Sequence, residues 1–216
     1  MTEICNRYDS LRSYQKDIDD VFRHHNDRLM KAKNLAVPIA EEIEHLGAFL
    51  QQHTAVVCPE CSRVCCINRH SYHAFDDIVY IRAIGEKIPL HNPALDDSGP
   101  CQFLGKQGCT IARSLRPYRC NWYFCSPLLA HITAHNSNRH YRLFIKLLQE
   151  ITEKRQKMME EYVSAVKNIV RWHADKWIAS DIILCLATGL ASEYNEINRP
   201  CIEIPCGLAG GSLQLR

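Results

Sequence analysis

The chain has 216 residues, a formal net charge of +2 and an apolar content of 46%. This length suits one domain, and the apolar content supports a packed core and argues against wholesale disorder. The near balance of charges argues against a nucleic-acid-binding protein and against an acidic tail. No stretch reaches the roughly 18 apolar residues of a membrane span. The N-terminal residues lack the apolar core of a signal peptide, so we expect a cytoplasmic protein without membrane contact.

A long amphipathic helix is the first strongly predicted element, after a weaker pattern in the first 24 residues. Asn26 or Asp27 is the predicted N-cap. Pro38 lies inside the helical pattern, so we predict that the helix kinks there or ends after Val37. The apolar face recurs at three- and four-residue steps and consists of Leu29, Ala32, Ala36, Ile39, Ile43, Leu46, Leu50 and His53.

The middle of the chain, from Cys58 to Leu128, is rich in cysteine, proline, glycine and arginine, which favours irregular structure. One short helix is predicted from Ala74 to Gly85, because a run of apolar residues precedes a glycine that suits a helix C-terminus. Residues 87–100, KIPLHNPALDDSGP, are predicted to form a loop.

A second long helix follows, with lysine and glutamate opposite its apolar face. Arg155 alone interrupts that face. His131 and His135 precede the helix in a segment that we interpret as a polar lead-in. The largely apolar composition of residues 177–190 predicts a further helix in the core. The apolar face consists of Phe144, Leu148, Ile151, Met158, Tyr162, Ala165, Ile169 and Trp172.

These patterns predict a mainly α protein, in which long amphipathic helices flank an irregular, metal-stabilised, cysteine-rich segment. Its parts are an N-terminal helical segment (1–57), a cysteine-cluster segment (58–130), long C-terminal helices (131–190) and an irregular tail (191–216). We expect them to form one compact domain. The two long helices should pack antiparallel, since each carries an apolar stripe that needs a partner.

Twelve cysteines make metal binding the leading functional hypothesis. In a reducing cytoplasm this number favours metal ligands over a disulfide framework. A Cys-x-x-Cys turn directs both sulfurs at one metal, and Gly105 and Gly108 allow the chain to bring Cys101 and Cys109 together. The predicted ligands are Cys58, Cys61, Cys65, Cys66, Cys101, Cys109, Cys120 and Cys125.

Two features of the cluster leave alternatives open. The side chains of the adjacent Cys65 and Cys66 diverge, so either one binds metal and the other packs, or they serve two metal atoms. Arginines recur at three-residue intervals before Cys120, where their charge would offset that of metal thiolates; Arg116 and Arg119 are the predicted cofactor contacts.

Other side chains offer alternative ligands. His70 and His73 follow the first cysteines closely enough to replace one of them. Cys201 and Cys206 in the tail would cap the same site or supply a second one.

The combined motifs resemble the bacterial YkgJ-like cysteine-cluster proteins over Cys58 to Leu128, about one third of the chain. The resemblance implies a zinc- or iron-chelating segment with eight cysteine ligands. Three residues precede the Cys65-Cys66 pair here, where the family commonly has two. Flagellin lysine methylases carry a similar cluster with a [4Fe-4S] centre, which favours iron–sulfur slightly over zinc. The matching motifs are Cys58-x-x-Cys61-x-x-x-Cys65-Cys66, Cys101-x-Phe103-Leu104, Gly108-Cys109-x-Ile111 and Arg116-Pro117-x-x-Cys120.

The leading interpretation is a protein of metal or redox handling that binds a metal ion or an iron–sulfur cluster. One alternative is a methyltransferase-like enzyme whose active site the cluster organises. Another is a zinc-stabilised module whose long helices bind a partner protein. No glycine-rich nucleotide loop and no nucleophile–base pair is evident, so no catalytic residue is assigned.

Overall fold

The computed structural model describes residues 15–61, 64–106, 108–136 and 138–174, and these are mainly helical, as predicted. Helix α1 covers residues 15–24, and a 3-10 turn, Asn26–Leu29, leads into α2. The predictions for residues 175–216 lie outside the described residues. The remaining helices are α2, Met30–Val57; α3, Phe75–Ala83; α4, Arg119–Trp122; α5, Ser126–His135; and α6, Asn138–Ala174.

Helix α2 runs without interruption for 28 residues, and every member of its predicted apolar face is buried. The predicted split after Val37 is therefore wrong, because Pro38 lies inside the continuous helix. Ala36 and Ile39, on either side of the proline, are completely buried. Their burial helps to offset the one backbone hydrogen bond that proline removes. The helix also begins at Met30, two or three residues later than the sequence predicts.

Helix α6 has 37 residues, which corresponds to about 55 Å, and packs along α2. The ring of Phe49 packs at a tilt against that of Phe144, with centroids 4.8 Å apart, and Glu42 forms an ion pair with Lys154. The residue numbers descend in one helix as they ascend in the other, which confirms the predicted antiparallel arrangement. Near the far end of the pair, Phe22 of α1 stacks on Tyr162 at 5.9 Å.

Arg155, the interruption in the apolar face of α6, is buried and ties α6 to α3. Its Nη2 donates to Asp76 and to Asp77, each at 2.9 Å. The guanidinium also lies over the rings of Tyr80, at 4.7 Å, and Tyr118, at 4.4 Å. Burial alone lowers the pKa of Arg155, but the carboxylates of Asp76 and Asp77 raise it, so the guanidinium stays charged. Arg155 therefore belongs to the core.

Two short regular elements lie within the predicted irregular segment. Strand β1, Leu104–Gly105, pairs antiparallel with β2, Gly108–Cys109, and Gly108 has a φ of +106°, which glycine adopts without strain. Residues 126–135 form a separate helix, α5, rather than a polar lead-in to α6. Proline in the first turn of α5 and the extended backbone of Asn136 set its two ends. The predicted boundary between the cysteine-cluster segment (58–130) and the C-terminal helices (131–190) consequently falls inside α5.

No helix in the described ranges combines the length and the apolar composition that a membrane span requires.

Candidate metal centre

All eight cysteines predicted as ligands lie in the described part of the chain, and all are free thiols. Helix ends position two of them. Cys58 follows the last residue of α2, and the N–H of Cys61 donates to the Cys58 carbonyl at 3.2 Å, which closes the Cys-x-x-Cys turn. Cys125 is the N-cap residue of α5, which packs against α2.

A backbone clamp positions three more cysteines. The N–H of Cys101 donates to the Cys66 carbonyl at 2.9 Å. The buried side chain of Asn68 accepts from the N–H of Gln102 and donates to the Asp96 carbonyl, both at 2.8 Å. The β1–β2 hairpin then returns Cys109 to the turn that starts at Cys101. The chain segments that carry Cys101 and Cys109 are therefore joined by the hairpin and by the turn that leads into it.

The thiols interact with one another. The neighbouring Cys66 thiol, together with burial, raises the pKa of Cys65, whereas the neighbouring Cys65 thiol lowers the pKa of Cys66. Burial raises the pKa of Cys58, and the nearby Cys65, Cys125 and Cys61 raise it further. The structure thus places Cys65 and Cys66 in opposite electrostatic environments.

The pKa of Cys120 is also raised by burial and by a neighbouring thiol. The residue as a whole is exposed to solvent. Nevertheless, desolvation by the surrounding protein raises the pKa of the thiol to about 12, and the neighbouring Cys109 raises it further. Thiolates so close together repel, and a bound cation removes that repulsion. Metal binding would therefore release protons from this segment.

Thiolates are soft ligands that select zinc, copper(I) or iron–sulfur clusters. Within the described ranges, no three histidine, cysteine, aspartate or glutamate side chains already converge in metal-ligand geometry. The eight thiols thus interact with one another, but in this conformation they do not enclose a common metal position. Metal binding would require their side chains to rotate inward.

Arg113 is the arginine most firmly placed beside the cysteines. It is buried, and its Nη1 approaches the Cys120 carbonyl and the Asn121 side chain at 3.4 Å. Burial lowers the pKa of Arg113 to about 10, with Arg116 acting in the same direction, whereas Cys120, Cys109 and Glu44 raise it. Arg113 takes part in none of the ion pairs formed by the described residues.

The two arginines predicted as cofactor contacts differ in position. Arg116 is half-buried and donates to the carbonyls of Ile111, at 2.9 Å, and Cys109, at 3.4 Å. Arg116 therefore braces the backbone of a cysteine. Arg119, at the start of α4, is exposed.

Gly47 is a residue that the sequence analysis missed, although a glycine in the middle of a long helix is a visible signal. A Cβ at this position would lie 2.6 Å from Cδ of Arg113 and 3.1 Å from its Nε. The absence of a side chain lets the arginine cross the surface of α2 on its way to Cys120.

We expect Gly47→Ala to destabilise the protein by about 1–3 kcal/mol, since the added methyl displaces a buried side chain. The same change at an unhindered helix position stabilises by about 1 kcal/mol. In an Arg113→Ala background the methyl has room, so there the substitution should be neutral or stabilising. Urea unfolding of the four variants measures this coupling. Equal effects in both backgrounds would contradict the contact.

The histidines considered as alternative ligands make other contacts. His73 is buried and donates from Nε2 to the Leu115 carbonyl at 2.9 Å, while Nδ1 of His70 lies 3.2 Å from the Cys65 carbonyl. His131 reaches α2, where its Nδ1 is 3.1 Å from Nδ1 of His53, and its ring stacks on that of His135 at 4.0 Å.

Hydrogen bonding assigns the proton in the His53–His131 contact. Asn136 donates one amide hydrogen to the Ile132 carbonyl at 2.8 Å and lies 3.1 Å from Nε2 of His53, which accepts the other. The proton of neutral His53 is therefore on Nδ1 and points at His131. Burial lowers the pKa of His53, and neighbouring His131 and His135 lower it further.

We expect acid to weaken the packing of α5 on α2. The lowered pKa of His53 means that protons bind the unfolded chain more tightly, so stability is full above about pH 6.5 and is lost as the pH falls further. His53→Gln should flatten the dependence of the unfolding free energy on pH between 7 and 5. The exposed His24 provides the control, and His24→Gln should leave the slope unchanged. An unaltered slope in His53→Gln would contradict the prediction.

Comparison of the chain with known protein families, with curated proteins and with solved structures found no match.

Proposed function

We propose that residues 58–125 bind a metal through cysteine thiolates, as an iron–sulfur cluster or as zinc, and that the protein acts in metal or redox handling. The observation that carries the proposal is the network of eight free, mutually interacting thiols beside a buried arginine. A buried guanidinium that forms no ion pair with another described residue is unfavourable, and a thiolate centre would supply negative charge beside Arg113.

The choice of metal follows from ligand chemistry. Four thiolates suit both zinc and iron–sulfur clusters, whereas hard cations such as magnesium prefer oxygen ligands. The resemblance of the motifs to YkgJ-like proteins supports zinc or iron, and the likeness to flagellin lysine methylases favours [4Fe-4S]. We therefore propose iron–sulfur first and zinc second.

Elemental analysis of the full chain, purified without oxygen, tests the proposal. We expect either iron with matching sulfide and a brown colour, or zinc in a colourless protein. Cys58→Ser should lower the bound metal sharply, whereas Cys5→Ser, at a cysteine that is not among the predicted ligands, should retain it. Wild-type protein that contains no metal, and takes up neither zinc nor a reconstituted cluster, would overturn the proposal.

A further inference from the structure

The side chain of Asn121 is buried and has no hydrogen-bond acceptor among the described residues. Asn121 is 1% exposed, and its Nδ2 makes no hydrogen bond within the described part of the chain. Its Oδ1 lies 3.4 Å from Nη1 of Arg113. A guanidinium can only donate, so the oxygen rather than the amide nitrogen of Asn121 faces the arginine. A buried donor without an acceptor is unfavourable, so the Asn121 amide can still bind one.

Arg113 is a second buried donor beside Asn121. It is 7% exposed, and Gly47 of α2 gives it room, since a Cβ there would lie 2.6 Å from Cδ of the arginine. Its Nη1 approaches Oδ1 of Asn121 and the Cys120 carbonyl, both at 3.4 Å. Charge-assisted hydrogen bonds of a guanidinium are usually about 2.7–2.9 Å long, so these two contacts are weak. Arg113 therefore also has the capacity to bind a stronger, negatively charged acceptor.

Two carboxylates contact the chain segment that joins these two donors, and both have other partners. Asp77 accepts from the N–H of Tyr118 and from the guanidinium of Arg155, each at 2.9 Å. Glu44 is exposed and accepts from the N–H of Ser114 at 2.8 Å. Neither carboxylate therefore supplies the acceptor that the two buried donors lack.

Cys120 is the predicted metal ligand closest to the two donors along the chain. It precedes Asn121 in the four-residue helix α4, and its carbonyl already contacts Arg113. The sulfur of a metal-bound thiolate accepts hydrogen bonds, and such bonds tune thiolate centres. Metal binding at Cys120 would thus bring a negatively charged acceptor close to two buried donors.

We propose that Asn121 donates a hydrogen bond to a sulfur of the bound metal centre and that Arg113 balances the negative charge of the same centre. This inference rests on the proposed function and adds the side chains that stabilise the centre without being its ligands. A hydrogen bond that forms only when metal is bound favours the metal-bound form. Asn121 therefore raises the metal affinity of the chain.

Two substitutions of Asn121 separate this role from a purely structural one. Asn121→Leu removes the donor, so the zinc affinity should fall by about 10- to 100-fold. Asn121→Asp keeps the shape, but its carboxylate pairs with Arg113 and repels a thiolate centre, so the affinity should fall at least as far. In both variants the metal-free chain should be no less stable than the metal-free wild type, because the Asn121 donor has no partner among the described residues.

The measurements use the reduced full chain under argon. Competition with a chelator of known affinity gives the zinc affinity, and urea unfolding after metal removal gives the stability. Asn34→Asp is the matched control, because it adds the same charge at an exposed position of α2. We expect it to change neither quantity.

The outcomes distinguish this inference from the proposed function. Unchanged zinc affinity in Asn121→Leu would overturn the inference and leave the proposed function standing, even if Asn121→Asp binds zinc more weakly by repulsion alone. A loss of metal-free stability that matches the loss of affinity would also overturn it, since Asn121 would then act only through the fold. Wild-type protein that binds no metal would overturn both proposals.

Discussion

Arg155→Met should destabilise the protein by about 3–5 kcal/mol, the typical loss when one partner of a buried ion pair is removed. Arg155 is only 3% exposed, and its guanidinium forms ion pairs with both Asp76 and Asp77. Methionine fills much of the same volume but leaves these carboxylates without their cation. Urea unfolding at neutral pH measures the loss.

Two further variants identify the cause of that loss. Lys146→Met removes an exposed lysine from the same helix, where the side chain is 71% exposed and pairs with Glu150, so we expect a change below about 0.5 kcal/mol. Adding Asp77→Asn to Arg155→Met removes one uncompensated charge and should restore part of the stability. A loss below about 1 kcal/mol in Arg155→Met would show that the ion pairs are not important to the fold.

Metal removal should have the second large effect, because the binding free energy of a structural thiolate site is about 10–16 kcal/mol and is coupled to folding. We expect chelation under reducing conditions to increase amide hydrogen exchange in residues 58–125 outside α3, since Arg155 holds α3 against α6 without a cysteine. The α2–α6 contacts do not pass through a cysteine, so amides near Phe49 and Phe144 should remain protected. Exchange measured by mass spectrometry, before and after zinc is restored, distinguishes the two regions.

The outcome can contradict the expectation in two ways. Unchanged exchange in residues 58–125 would mean that the hydrogen bonds of Asn68 and of the hairpin hold the segment without metal. Loss of protection in α2 and α6 as well would mean that the whole domain unfolds as one unit with the segment.

The long helices could be predicted from sequence because their apolar faces repeat with the helical period over many turns. Leu29 to His53 illustrates this, since every residue of the predicted face is buried. Of the two predicted effects of Pro38, the split after Val37 is wrong, because local propensity does not include the burial of Ala36 and Ile39 against the rest of the core. Helix α5 was missed because it has only 10 residues, too few for its apolar residues to repeat over several turns.

The sequence indicated which cysteines belong to the candidate site, but it said much less about their positions relative to one another. Motif spacing singled out the eight cysteines, but it did not predict the hydrogen bonds that position them, because those bonds join distant segments of the chain. The roles of Arg155 and Gly47 could not be predicted either, because each depends on a residue that is distant in the sequence. The partners of Arg155 lie nearly 80 residues away in α3, and the reason for Gly47 is the path of Arg113.

The antiparallel pairing of α2 with α6 also has a consequence for the order of folding. The Glu42–Lys154 contact spans 112 residues, so the chain must close a long loop before this interface forms. Closing such a loop is entropically unfavourable, and each halving of its length saves about 0.6 kcal/mol. A metal that joins Cys58 to Cys125 in the unfolded chain would shorten the loop by more than half. Metal loading before collapse would consequently accelerate folding by roughly threefold to fivefold, through the chain entropy alone.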